Sequence, residues 1–118
     1  MATSQLKKIP VSYENGFTIQ NSINNVPANV ETPLVSYTVP IGKKITCVGG
    51  VVSGMTDATF KYYVDNAIKE ILRINWTERN ASFSTIEKME AGKIVKITVQ
   101  HHAINTHDFD GSIFAFLL

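Results

Sequence analysis

One cysteine in 118 residues, Cys47, excludes an internal disulfide and any zinc site built on cysteines. It lies in the apolar run ITCVGGVV and reads as a small buried hydrophobe. No apolar stretch approaches the roughly 20 residues a helical membrane span needs. The opening MATSQLKKIPVSYENG also lacks the apolar core of a secretory signal. Charge of one sign is missing too. Eleven Lys and Arg stand against ten Asp and Glu, and the only adjacent basic pairs are Lys7-Lys8 and Lys43-Lys44, so no phosphate-tracking surface is expected. There is no G-x-S-x-G elbow, no G-x-x-x-x-G-K-[ST] phosphate loop, and no ten-residue stretch of helical periodicity.

Strands with turn punctuation are what the chain does contain. β-branched and aromatic runs, separated by Gly, Pro, Asn and Asp, predict strands over 34–39, 43–53, 58–64, 68–77, 81–84, 93–102 and 112–118. STIEKMEAG is the one segment suited to a helical turn. Residues 1–33 are rich in Asn, Ser, Pro and Gln, with scattered apolar residues and only FTI suggesting an extended piece. The expected fold is all-β: a single antiparallel β-sandwich, jelly-roll-like, over residues 34–118, preceded by an extended N-terminal arm over 1–33.

Face assignments sharpen this. In ATFKYYV the inward set is Phe60, Tyr62 and Val64; in IKEILRINW it is Ile68, Leu72, Ile74 and Trp76. A three-residue loop, Asp65-Asn66-Ala67, would pair Val64 with Ile68 and Phe60 with Leu72. Glu70 falls in phase with the core opposite Tyr62. Either a bulge or strand end relieves it, or its carboxylate accepts the Tyr62 hydroxyl, because an unpaired buried charge is costly. The Gly49-Gly50 pair inside a strand marks a bulge or a close backbone approach. VPIGKKITCV and EAGKIVKITV echo each other as Gly-Lys turns that each lead into a β-rich run.

Chemistry is sparse. A metal site would recruit His101, His102, His107, Asp108 and Asp110, but adjacent strand residues point to opposite faces, and His101 is in phase with Val95, Ile97 and Val99. Asp108, Asp110 and Gly111 look like the start of a calcium loop whose remaining ligands are missing. No metal, no cofactor and no catalytic residue is expected. The sequons Asn75-Trp76-Thr77 and Asn80-Ala81-Ser82 read as chance occurrences. Tyr63 is the outward ring, open to a subunit contact or a sugar, or simply one aromatic residue at the surface.

The terminal SIFAFLL carries Ile113, Ala115 and Leu117 on one face and Phe114, Phe116 and Leu118 on the other. A half-solvated strand alternates apolar with polar, and this one does not. Its second face needs a cover, such as the arm, a neighbouring subunit or a host particle, since exposed patches of several hundred Å2 mark interfaces. The arm, with Phe17 and Ile19, is expected to lie in a partner's grooves or to extend a sheet edge.

The succession VPIGKKITCVGGVVSG, ATFKYYVDNAIKEILRINW, RNASF, EAGKIVKITVQH and DFDGSIFAF resembles small β-sandwich proteins of tailed-bacteriophage virions, over residues 34–116. It departs from them in having Asn66-Ala67 where Asp-Gly is commoner. The resemblance implies a non-enzymatic virion part assembled in the host cytoplasm: a capsid decoration, a neck or tail adaptor, or a fibre or baseplate module. It would be a homo-oligomer in contact with other virion proteins, with no nucleic-acid or membrane partner. The alternative is a carbohydrate-binding, receptor-binding module. Phe17, Ile19, Tyr63, Phe114, Phe116 and Leu118 are the interface candidates.

Overall fold

The computed structural model describes residues 15–118. Eight strands fill this span: β1 (Gly16–Val26), β2 (Thr32–Thr38), β3 (Ile45–Gly54), β4 (Ala58–Val64), β5 (Ala67–Ile74), β6 (Asn80–Met89), β7 (Ile94–His101) and β8 (His107–Leu117). They form two four-stranded antiparallel sheets, ordered β1-β8-β3-β6 and β2-β7-β4-β5. The pairings are nested: first strand with last, second with seventh, third with sixth, fourth with fifth. Nested pairs divided between two facing sheets make the jelly-roll-like sandwich expected from the sequence.

The division at residue 33 is not where the structure begins the sandwich. Gly16–Val26 pairs along β8 and Thr32–Thr38 along β7, so the described part of the expected arm belongs to the two sheets. The reason is legible in β1: Phe17, Ile19 and Ile23 keep a period of two, with Asn21 at the intervening inward site. Asn21 is polar but not idle. Its Nδ2 donates to the Leu34 carbonyl at 2.8 Å and ties β1 to β2 across one open side of the sandwich. Residues 1–14, the remainder of the expected arm, lie outside the described residues. STIEKM is likewise strand, not helical turn: Phe83, Thr85, Glu87 and Met89 share a side of β6.

Between the sheets sits a core that includes Leu34, Ile45, Phe60, Tyr62, Ile97, Phe109 and Ile113, all at most 1% exposed. Two facing bulges interrupt the ladder between β3 and β6, where register is lost between Val48 and Gly50 and between Phe83 and Ile86. Gly49 adopts φ +83°, and a Cβ there would lie 2.2 Å from the Phe83 carbonyl oxygen. At Gly50 a Cβ would lie 2.2 Å from the Ser112 carbonyl oxygen, so here both meanings of a strand glycine hold at once.

The β4–β5 hairpin differs from the expected loop. Val64 pairs with Ala67, leaving Asp65 and Asn66 as a two-residue turn with φ +49° and +73°. Two successive positive φ values suit a type I′ turn, which Asn and Asp tolerate. Parity is then restored by a bulge between Tyr62 and Tyr63. Phe60 still pairs with Leu72 and Tyr62 with Glu70, as expected, but Ile68 is turned outward opposite Tyr63.

Candidate functional site

The first sheet's outer face answers the question raised by the terminal strand. Ile113 and Ala115 of β8 are buried, while Phe114 and Phe116 point outward and are half-buried by their neighbours. Phe114 stands opposite Thr18 on β1 and beside the β3 bulge, where Val48 is also outward, and Val48 pairs with Ile86 on β6. Phe114, Val48 and Ile86 thus form an apolar band across three adjacent strands, with Phe116 in the next row opposite Thr46. Ile86 is 70% exposed. Further along, the same face turns polar, with Gln20, Ser53, Ser82 and Ser112 around a shallow depression. Leu118 lies past the strand, exposed, its N–H donating to the Lys44 carbonyl.

The other interface candidates fall elsewhere. Phe17 and Ile19 face inward and pack on the domain's own core, opposite Ala115 and Ile113. The Phe17 ring lies 5.5 Å from Tyr37. Strand alternation spends both inside the subunit, so they are not the groove-seeking residues expected of an arm. Tyr63 is outward on the second sheet, but its hydroxyl donates to Glu31 Oε2 at 2.5 Å, and Lys96 Nζ lies 4.9 Å from its ring centroid. Thr98 Oγ1 donates to the same carboxylate at 2.7 Å and Lys61 Nζ stands 3.8 Å away. These hydrogen bonds, from Thr98 first and then Tyr63, hold the Glu31 carboxyl below its ordinary pKa. The same bond raises the Tyr63 phenol.

Glu70 closes the side of the sandwich opposite Asn21. Its Oε1 accepts the backbone N–H groups of Ser84 and Thr85, each at 2.9 Å, and the Thr85 hydroxyl at 2.7 Å; Oε2 accepts the Ser84 hydroxyl at 3.3 Å. Ser84 and Thr85 are the bulge residues that have no partner on β3, so the carboxylate supplies the acceptors which the ladder does not. Burial pushes the Glu70 pKa up, but the bonds from Thr85 and Ser84 together outweigh it and leave the carboxyl lowered. Lys69, the extra residue of the β5 bulge, adds an ion pair with Glu87 at 3.4 Å along the same side. The Tyr62 hydroxyl goes elsewhere, donating to the Gly49 carbonyl at 3.2 Å.

Two of the three histidines, His101 and His107, lie together, and His102 stands apart. His101 is fully buried, donating from Nε2 to the Val26 carbonyl at 2.7 Å and accepting the Ala103 N–H on Nδ1 at 3.2 Å. Its ring stacks edge-on against His107. His102 points to the opposite side and bonds Asn29 through Nδ1. Asp108 and Asp110 accept from the Asn25 backbone and the Ser22 hydroxyl. Cys47 is fully buried beside Met89, and burial lifts its thiol pKa to about 11.

Trp76 is a correction. Expected in the core, it is 65% exposed in the β5–β6 loop, because β5 ends at Ile74 and Asn75 starts a turn. Asn75 Oδ1 accepts the N–H groups of Thr77 and Glu78 at 2.9 and 2.7 Å. Trp76 lines a groove of about 660 Å3 at the end of the second sheet.

The arrangement defines a class by its fold, the two-sheet antiparallel β-sandwich. No family model matches the chain, and no curated protein matches it. Among solved structures it is similar to a chain of the acidic stable capsid structure of Helicobacter pylori bacteriophage KHP30, with TM-score 0.59 and 8% identity over 87% of this chain and 90% of that one. It is also similar to a subunit of the disulfide-linked pili of Bacillus endospore appendages, with TM-score 0.51 and 15% identity over 88% and 89%. A third is the insecticidal delta-endotoxin Cry8Ea1 of Bacillus thuringiensis, with TM-score 0.51 and 16% identity; the match covers 82% of this chain and 19% of the toxin. At such identities the likeness is one of fold.

Proposed function

We propose that the chain is a non-enzymatic structural subunit of a larger assembly, a shell or tail component of a phage particle, associating with its own copies and with other virion proteins. The single observation that carries this reading is the apolar band of Phe114, Val48 and Ile86, with Phe116 beside it, on an outer sheet face. A large apolar side chain gains about 1.5–3 kcal/mol on full burial, so a self-contained monomer would bury such residues or replace them with polar ones. The described residues begin beside this band, where the Asn15 carbonyl accepts the Leu117 N–H and Gly16 pairs with Phe116. Two neighbours of the same fold, a capsid chain and a pilus subunit, support an assembly role. The disulfide linkage of those pili has no counterpart here, since the lone cysteine is fully buried.

Electron microscopy of the purified full-length chain tests this. Rings, sheets or filaments in the wild type that vanish on Ile86→Asp support the reading, whereas dispersed single sandwiches in both count against it.

A further inference from the structure

At the end of the second sheet, where the β3–β4, β5–β6 and β7–β8 loops meet, the groove beside Trp76 combines one exposed indole with a wall of polar side chains. Asp57, Arg73, Asn75, Gln100 and His102 line it with the tryptophan. Its volume of about 660 Å3 falls within the range of small-ligand sites. An exposed tryptophan in a mobile loop would be unremarkable, but this one is held. Arg79 Nε donates to the Trp76 carbonyl at 2.9 Å, the Asn75 N–H donates to the Glu78 carbonyl at 3.1 Å, and the Gly54 N–H anchors Arg79 through its carbonyl at 2.9 Å. His102 is oriented by Asn29. A ring presented on a braced turn loses little freedom when a ligand stacks on it.

We infer that this groove binds a neutral glycan, with one pyranose ring stacked on Trp76 and its hydroxyls bonded by Asp57, Arg73, Gln100 and His102. A pyranose carries an apolar C–H face and a rim of hydroxyls that both donate and accept, which matches one aromatic plate among side chains of both kinds. Arg73 and Asp57 offset each other in charge, so nothing selects an anionic sugar. An apolar peptide would leave those polar groups unpaired, at a cost. The inference is independent of the assembly reading, because the groove lies at the end of the second sheet and the apolar band on the outer face of the first.

Trp76 is the only tryptophan, so its emission reports the groove directly. Full-length protein is titrated with di- and trisaccharides of glucose, galactose, mannose and N-acetylglucosamine, following tryptophan emission and heat of binding. At least one sugar is expected to bind with a saturable change in emission, at least tenfold more weakly in Trp76→Ala and in Gln100→Ala, and with unchanged affinity in Ile104→Ser, a fully exposed residue of the neighbouring loop. Emission scans and melting curves of the variants establish that they are folded. Sugar binding that leaves the emission and the Trp76→Ala affinity unchanged overturns the inference. So does the absence of binding across the panel, or a groove that captures a protein partner through Trp76 and Ile104 alike.

Discussion

Removing the Glu70 carboxylate should loosen the sandwich by a predictable amount and change its response to acid. Glu70 accepts four hydrogen bonds from Ser84 and Thr85, two of them from bulge N–H groups that have no partner on β3. Enclosed bonds to a charged group contribute about 1.5–3 kcal/mol each. The site is half-exposed, so water takes up much of the lost bonding, and the discounted total for Glu70→Ala is about 2–3 kcal/mol. For a domain of this size that corresponds to roughly 10–20 °C in Tm. Glu70→Gln should cost about 1 kcal/mol, since the amide oxygen can keep the three bonds made by Oε1 at neutral strength. The sign of the acid effect follows from the lowered pKa. The folded state binds a proton at Glu70 less readily than the unfolded chain, so the contribution is complete above the ordinary value of 4.5 and is lost as pH falls through the lower folded value. Glu31, also lowered, adds a loss in the same window. Urea unfolding of wild type, Glu70→Gln and Glu70→Ala between pH 3 and pH 7 measures this. The wild-type curve should fall more steeply with acid than that of Glu70→Gln. Equal slopes, or a Glu70→Ala variant as stable as wild type at pH 7, would refute this role of the Glu70 carboxylate.

Other consequences follow from single contacts. Gly49→Ala forces a Cβ to 2.2 Å from the Phe83 carbonyl oxygen at positive φ, and should cost about 3 kcal/mol or more in denaturant unfolding; a loss below 1 kcal/mol would contradict the bulge geometry. Tyr62→Phe removes the donor to the Gly49 carbonyl and should cost about 1 kcal/mol, and a neutral result in the same assay would deny that bond. Cys47, buried with its thiol pKa raised to about 11, should react with an aromatic disulfide reagent only as fast as the protein unfolds. Rapid labelling at pH 7.5 in native buffer would place the thiol nearer the surface.

How far the sequence carried these features depended on whether polar residues interrupted the alternation. β4, with Phe60, Tyr62 and Val64 inward, was legible to the residue, and the two faces of the terminal strand were read correctly. β1 was not, because Asn21 occupies an inward position and breaks the apparent period of Phe17, Ile19 and Ile23. Thr85 and Glu87 hide β6 in the same way. In β1 and again at Glu70 in β5, the polar intruder lies on an open side of the sandwich and bonds the facing sheet. Polar residues at core-phase positions were therefore the signal for edge strands. Half of the apolar band was foreseen, in Phe114 and Phe116; Val48 and Ile86 join it only because the bulge at Gly49 resets which residues of β3 face outward. Trp76 was misread because alternation was carried past Ile74, where the Asn75 turn ends the strand.

The solution mass of the full-length chain as a function of concentration, by light scattering after gel filtration, tests the central claim most directly. The account predicts a mass several times that of one chain at micromolar concentration, reduced to 13.1 kDa by Ile86→Asp. A wild type that remains at 13.1 kDa up to its solubility limit would contradict it.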